Sequence, residues 1–106
     1  MKSRKIKLTI TGCLGRMGQQ LIKSAKKDRR FKINSITENM IQKKKILGIF
    51  PKLNNAETFK KSDVIIDFSI PKCTLEVLQI AVKQSKRVVI GTTGFSQKEE
   101  NIIKKI

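Results

Sequence analysis

Three glycines at three-residue spacing, Gly12, Gly15 and Gly18, follow directly on the apolar, strand-like run of residues 6–11. Between a strand and a helix, the first glycine permits a tight turn and the second lets the backbone approach a pyrophosphate. The third lets the helix pack closely on the strand. The helix that begins there points its free N–H groups and the positive end of its dipole at the anion. The pattern predicts a dinucleotide site and, with it, a redox or dinucleotide-sensing function.

The spacing of these glycines differs from two other phosphate-binding patterns. The usual dinucleotide fingerprint is G-x-G-x-x-G, whereas Leu14 stands where its middle glycine would be. No Gly-Lys-Ser/Thr ends the turn, so a P-loop and a nucleoside triphosphatase are disfavoured. On the motif alone, a tight strand-to-helix turn without a ligand remains the alternative.

Three further segments carry polar groups that could serve such a site. Glu38 follows Gly18 by about the offset expected of the acid that binds an adenosine ribose, although an isolated exposed glutamate is ordinarily only solvated. Residues 91–94, Gly-Thr-Thr-Gly, offer bare backbone and two hydroxyls, or simply form a loop before the next helix. Asp67 ends an apolar run and is either an acid or base, or a buried and hydrogen-bonded structural carboxylate.

Alternating strands and helices must position these residues. Apolar runs predict strands at residues 5–11, 31–36, 64–68 and 87–90. Helical spacing and capping signals predict helices from Arg16, from Pro71 and after Ser96, with a short helix around residues 57–61. The apolar faces of the first and last helix are predicted to carry Met17, Leu21, Ile22 and Ala25, and Ile102, Ile103 and Ile106, respectively.

This order of elements predicts an α/β fold, a Rossmann-like doubly wound parallel sheet with helices on both faces. Ligands of such sheets bind beyond the carboxyl ends of the strands, and the glycine turn, Glu38, residues 68–69 and residues 91–94 all fall there. Residues 39–62 otherwise follow no clear pattern. At 106 residues the chain is predicted to be one domain.

The formal charge of +16, from 24 Lys and Arg against 8 Asp and Glu, invites a nucleic-acid interpretation. The basic residues are spread along the chain, and there is no Tyr, no Trp and no aromatic RNA-recognition signature. A nucleic-acid partner is therefore disfavoured, while the charge still attracts any polyanionic ligand.

Other classes of site have little support in the composition. There is no histidine, and the two cysteines, Cys13 and Cys73, form no CxxC motif, so neither a metal site nor a Cys/His nucleophile pair is predicted. No run of residues has the length and apolarity of a membrane span or a signal peptide, and a cytoplasmic protein without membrane partners is expected.

Three motifs taken together resemble the N-terminal half of dihydrodipicolinate reductase, an enzyme family of lysine and diaminopimelate biosynthesis. They are GCLGRMG at residues 12–18, DFSIP at 67–71 and VIGTTGF at 89–95, in the family's order. The resemblance implies a cofactor, NADH or NADPH, with its pyrophosphate and adenosine side on residues 12–17 and its ribose on Glu38. It further implies that the nicotinamide lies against residues 91–93, with Phe68 beside the cleft. The implied cofactor-binding residues are Gly12, Cys13, Leu14, Gly15, Arg16, Met17, Glu38, Phe68, Gly91, Thr92 and Thr93.

The chain departs from this family in two respects. The family often carries an arginine after the ribose-binding acid, where it meets the 2′-phosphate of NADPH; here Asn39 stands there, which favours NADH unless Arg16 or residues 43–45 supply the charge. The family's substrate domain, with paired histidines and a proton-donating lysine, has no counterpart in this sequence. Residues 1–106 are therefore expected to form a single truncated NAD(P)-binding domain, monomeric on its own although the family is homo-oligomeric.

On this interpretation the chain has no catalytic residue of its own. The family reduces 4-hydroxy-tetrahydrodipicolinate, and the dicarboxylate substrate is expected only in a full-length enzyme. The alternatives are a dinucleotide-binding regulatory module and, less favoured, a basic nucleic-acid-binding protein.

Overall fold

A computed structural model describes residues 4–105 and shows an α/β fold with eight helices and strands in alternating order. They are β1 (Ile6–Thr11), α1 (Arg16–Lys27), β2 (Phe31–Thr37), α2 (Ala56–Phe59), β3 (Val64–Asp67), α3 (Pro71–Lys83), β4 (Arg87–Ile90) and α4 (Gln97–Lys105). None of these helices is both long and apolar enough to cross a membrane.

The four strands form one parallel sheet in the order β2-β1-β3-β4, which confirms the predicted Rossmann-like fold. The chain moves to one side of β1 to form β2 and then crosses to the other side to form β3. The carboxyl ends of β1 and β3 therefore border the point at which the strand order reverses. In open parallel sheets this is where ligands bind.

Two apolar clusters pack on the sheet. One contains Ile10, Ile22 and Ile36 beneath α1, and the other contains Phe59, Ile65 and Val77 beneath α2 and α3. Met17 was predicted on the buried face of α1, but it is 50% exposed. It lies in the first turn of α1, where the helix emerges from the glycine turn, and the buried face of the helix is formed by Gly18, Ile22 and Ala25.

The segment between β2 and α2, which no sequence pattern assigned, returns to the edge of β2 and pairs with its last residue. Lys52 pairs with Thr37 in a parallel bridge. The amide of Glu38 donates to the carbonyl of Lys52 at 3.0 Å, and the amide of Lys52 donates to the carbonyl of Ile36 at 2.9 Å. This pairing holds the backbone of Glu38 at the carboxyl end of the sheet.

The last helix begins with the predicted capping box. The amide of Glu99 donates to Ser96 Oγ at 3.2 Å, and the amide of Ser96 donates to Glu99 Oε1 at 2.9 Å. The predicted apolar face is only partly covered, since no residue of α4 is buried and Ile102 is 37% exposed. The predicted contact of Ile106 lies outside the described residues.

Candidate functional site

The three glycines of the first turn have different steric surroundings. Gly12 has a φ of +71°, and a Cβ there would overlap the carbonyl oxygen of Phe68. A Cβ on Gly18 would overlap the carbonyl oxygen of Gly12, so the close approach of α1 to the turn requires that glycine. Gly15 has a φ of −72°, and its Cβ would meet only Gly12 O, at 3.4 Å, an ordinary contact. The fold thus requires two of the glycines, while Gly15 leaves bare backbone exposed.

The N-terminus of α1 has backbone amides available to an anion. Gly15 provides no side-chain cap, and the first turn carries no acidic residue. Within residues 4–105, the amides of Arg16, Met17 and Gly18 have no hydrogen-bond acceptor. By contrast, Asn55 Oδ1 caps α2 by accepting from the amide of Thr58 at 2.8 Å. Three free N–H groups at a helix N-terminus, with the dipole behind them, favour a phosphate.

Glu38 lies at the end of β2 and reaches the glycine turn. Its Oε2 accepts from the amide of Leu14 at 3.0 Å, and its Oε1 accepts from the amide of Asn39 at 3.1 Å. These two bonds hold the carboxylate at the mouth of the turn. Each oxygen retains a lone pair that could accept from a ribose hydroxyl.

An open cavity of about 260 Å³ joins these features at the carboxyl edge of the sheet. It is smaller than a dinucleotide needs, so such a ligand would continue along the open edge of the sheet. The N-cap residues of α1 and α3, Gly15 and Ile70, both line it, and neither helix has a side-chain cap. The cavity is lined by Gly12, Gly15, Glu38, Asn39, Phe68, Ser69, Ile70 and Cys73.

Four of the eleven predicted cofactor-binding residues, Gly12, Gly15, Glu38 and Phe68, therefore meet at one cavity. Four lining residues were not among the predicted contacts: Asn39, Ser69, Ile70 and Cys73. The strand-end rule did place Ser69 at this edge of the sheet, and it could also have found Ile70, which follows one residue later. Burial raises the pKa of the Cys73 thiol, with Glu76 and Glu38 adding to the effect, so the thiol is neutral at pH 7.

Cys13, although predicted at the site, has a fully buried side chain in the cluster beneath α1. Burial, followed by the nearby charge of Glu38, raises the pKa of its thiol to about 11. Its amide donates to the carbonyl of Thr37 at 3.1 Å, so this amide joins the turn to β2. The side chains of Leu14, Arg16 and Met17 point outward and are exposed.

The loop after β4 lies next to the loop after β3. A Cβ on Gly91 would overlap the ring of Phe68, so glycine there lets the two loops pack together. Thr92 is buried and Thr93 is exposed. Gly91, Thr92 and Thr93 do not line the cavity at the glycine turn, and they extend the carboxyl edge on its β4 side.

A family model described as "Dihydrodipicolinate reductase, N-terminus" matches residues 6–106 of this chain. The chain belongs to the dihydrodipicolinate reductase family. The 4-hydroxy-tetrahydrodipicolinate reductase of Pelagibacter ubique (strain HTCC1062) is 63% identical over 102 residues, which cover 96% of this chain and 40% of that protein. The reductase of the same name from Buchnera aphidicola subsp. Cinara cedri (strain Cc) is 40% identical, over 93% of this chain and 41% of that protein. The chain thus spans about two fifths of the length of these curated relatives.

Solved structures agree with the family on the fold. Dipicolinate-bound dihydrodipicolinate reductase from Paenisporosarcina sp. TG-14 superposes with a TM-score of 0.68 at 23% identity, over 92% of this chain and 41% of that one. RSP, whose structure was solved in complex with β-NAD+ and operator DNA, superposes with a TM-score of 0.63 at 16% identity, over 95% of this chain and 60% of that one. At these identities the likeness concerns the fold alone.

Proposed function

We propose that this chain is the part of a dihydrodipicolinate reductase that binds the nicotinamide dinucleotide. The pyrophosphate lies on the free amides of α1 above Gly15, the adenosine ribose on Glu38, and the nicotinamide against residues 91–93. The observation that carries the proposal is the exposed backbone of Gly15. It faces the cavity beside three amides that have no acceptor among residues 4–105, although the fold would accept a Cβ at Gly15.

The surroundings of Glu38 favour NADH over NADPH. The two amides that it accepts from hold its negative charge where the 2′-hydroxyl of an adenosine ribose would lie. A 2′-phosphate in that place would meet a carboxylate, and the next residue, Asn39, has no charge with which to neutralise it. The exposed cations of Arg16 and residues 43–45 reduce this discrimination by their general attraction for phosphate.

The reduction itself is proposed for a longer protein. The relatives are named 4-hydroxy-tetrahydrodipicolinate reductases. When bound, a reduced nicotinamide supplies the hydride for such a reaction, and this chain's residues hold and orient the cofactor. The cyclic dicarboxylate substrate and the catalytic groups are assigned to the length of the relatives that this chain does not span.

Titration of NADH and NADPH against the chain and against Gly15→Val tests the site. We expect the wild-type chain to bind NADH and the valine side chain to weaken binding at least about ten-fold, because it occupies the approach of the pyrophosphate. The dissociation constants are measured by calorimetry. Gln20→Val, at an exposed position of α1, is the matched control and is expected to bind as the wild type does.

Equal affinity of wild type and Gly15→Val, or no binding of either dinucleotide by the wild type, would contradict the pyrophosphate assignment. The regulatory alternative predicts the same binding and is separated by a graft. Residues 6–106 replace the matching segment of the Pelagibacter ubique reductase, and oxidation of NADH or NADPH by the chimera is followed with substrate. An active chimera supports the enzyme. An inactive but folded chimera that binds NADH supports the regulatory module.

A further inference from the structure

Asp67, at the carboxyl end of β3, is fully buried and accepts hydrogen bonds from four hydroxyl groups. Thr11 at the end of β1 and Ser69, at 2.6 Å, donate to its Oδ1. Thr74 in the first turn of α3 and Thr92 after β4, at 2.9 Å, donate to its Oδ2. The four donors come from the end of β1, the loop after β3, the first turn of α3 and the loop after β4. This arrangement supports the structural interpretation of Asp67 and not its use as an acid or base.

The hydroxyls are the partners that keep this carboxylate stable in the interior. Ion pairs among the described residues involve Asp28 and Asp63 and do not involve Asp67. A buried carboxylate without a cation is costly unless hydrogen bonds satisfy it, and bonds to a charged acceptor are stronger than neutral ones. Removal of any one donor leaves part of the charge unsatisfied, so a strong bond holds each of these four segments to Asp67.

Thr92 is the connection between Asp67 and the loop after β4. Its hydroxyl donates to Asp67 and also accepts from the amide of Ser69 at 3.0 Å, so one oxygen joins two loops. The amide of Gly91 donates to the carbonyl of Asp67 at 2.8 Å. Phe68 contacts both the loop after β4 and the glycine turn. Its ring packs on Gly91, and its backbone carbonyl packs against Gly12. A displacement of residues 91–93 therefore changes the surroundings of the glycine turn.

We propose that Asp67 is a positioning residue that, through the Thr92 hydroxyl, aligns the nicotinamide-side loop with the pyrophosphate turn. The two halves of a dinucleotide are then bound at a set separation. This proposal rests on the proposed function for its ligand. The hydroxyl cluster, which consists of Asp67 and its four hydroxyl donors, does not depend on that function. It can be tested separately without a ligand.

Thr92→Val, which keeps the shape of the side chain and removes its hydroxyl, tests the alignment with two probes. NADH spans both loops, whereas ADP-ribose lacks the nicotinamide ring and contacts only the turn side. We expect Thr92→Val to weaken the binding of NADH about ten-fold and that of ADP-ribose by less than about two-fold, because the bond to Asp67 and the bond from the Ser69 amide are both lost. Thr92→Ser, which restores the hydroxyl, is expected to recover most of the NADH affinity.

Amide hydrogen exchange without any ligand supplies the second readout. In Thr92→Val the amides of Ser69 and Gly91 are expected to exchange faster than in the wild type and in Thr92→Ser. Unchanged exchange, or equal weakening of NADH and ADP-ribose, would overturn the positioning role. If the wild type binds neither probe, the proposed function fails, and the exchange rates still decide whether the hydroxyl cluster holds the loops together.

Discussion

The proposed preference for NADH depends on bonds that Glu38 makes within the protein before any cofactor binds. Both of its carboxylate oxygens accept from backbone amides, of Leu14 and Asn39. We expect Glu38→Ala to weaken NADH about ten-fold or more, because charge-assisted bonds to the ribose are lost. The affinity for NADPH is expected to fall less, because the substitution also removes the repulsion between the Glu38 carboxylate and the 2′-phosphate. The ratio of the two dissociation constants, measured by calorimetry, reports the preference.

Glu100→Ala removes an exposed carboxylate from α4 and serves as the control, with the ratio of dissociation constants expected to stay at the wild-type value. Glu38→Gln keeps an oxygen that can accept from Leu14 and removes only the charge. If both Glu38 variants bind the two dinucleotides as Glu100→Ala does, Glu38 does not contact the ribose.

Among single residues, the sequence could predict those candidate cofactor contacts whose positions are set by backbone geometry. Gly12, Gly15 and Glu38 could be chosen from spacing because a strand followed by a tight turn and a helix has a nearly constant shape. The orientation of Thr92 could not, since its hydroxyl turns inward to a carboxylate that is 25 residues away in sequence. The core position of Cys13 likewise follows from how α1 packs.

The pairing of β1 with β2 contains an irregularity that links the sheet to α2. The register shifts so that Leu8 pairs with Ile33 and Thr9 with Ser35, which leaves Asn34 as the extra residue of a bulge. Asn34 Nδ2 donates to the carbonyl of Thr58 at 3.2 Å and to Ser62 Oγ at 3.1 Å. The bulge therefore directs the side-chain amide of Asn34 at the last turn of α2 and at the residues that follow it.

Asn34→Ala is expected to lower the free energy of unfolding by about 1–3 kcal/mol, because the carbonyl of Thr58 and the hydroxyl of Ser62 lose a partly buried donor. Urea denaturation measures the change, with the exposed Gln20→Ala as control. A loss below about 0.5 kcal/mol, the range of ordinary surface changes, would show that the bulge is not held by this side chain.

Strand and helix bounds were predicted to within about two residues where side-chain patterns determine them. Apolar runs mark β1 and β3, Pro71 marks the first residue of α3, and the Ser96–Glu99 capping box marks α4. Residues 38–55 were not predicted, because Lys52 joins the edge of β2 through backbone bonds that any side chain permits. This segment positions Glu38, so part of the site was hidden from the sequence.

Across the whole molecule, the sheet is covered unevenly. The predicted helices do lie on both faces, but α1 packs mainly on β1 and β2. Ile66 pairs with Val89 on that same face, and Val89 is 56% exposed at the edge strand. Which face stays open depends on strand order, which no local pattern encodes.

The open sheet face and the net charge of +16 have opposite effects on self-association of the chain. Charge repulsion keeps copies apart at low salt, and screening at higher salt lets the apolar face associate. We expect the chain to be monomeric at about 0.05 M salt and to self-associate at about 0.5 M, where the Debye length is only about 4 Å.

Val89→Lys should abolish this association, as followed by light scattering. Ile41→Lys, which adds the same charge at an 80% exposed position outside the strands, is the control. If it suppresses association equally, net charge alone governs solubility and the sheet face has no part in it.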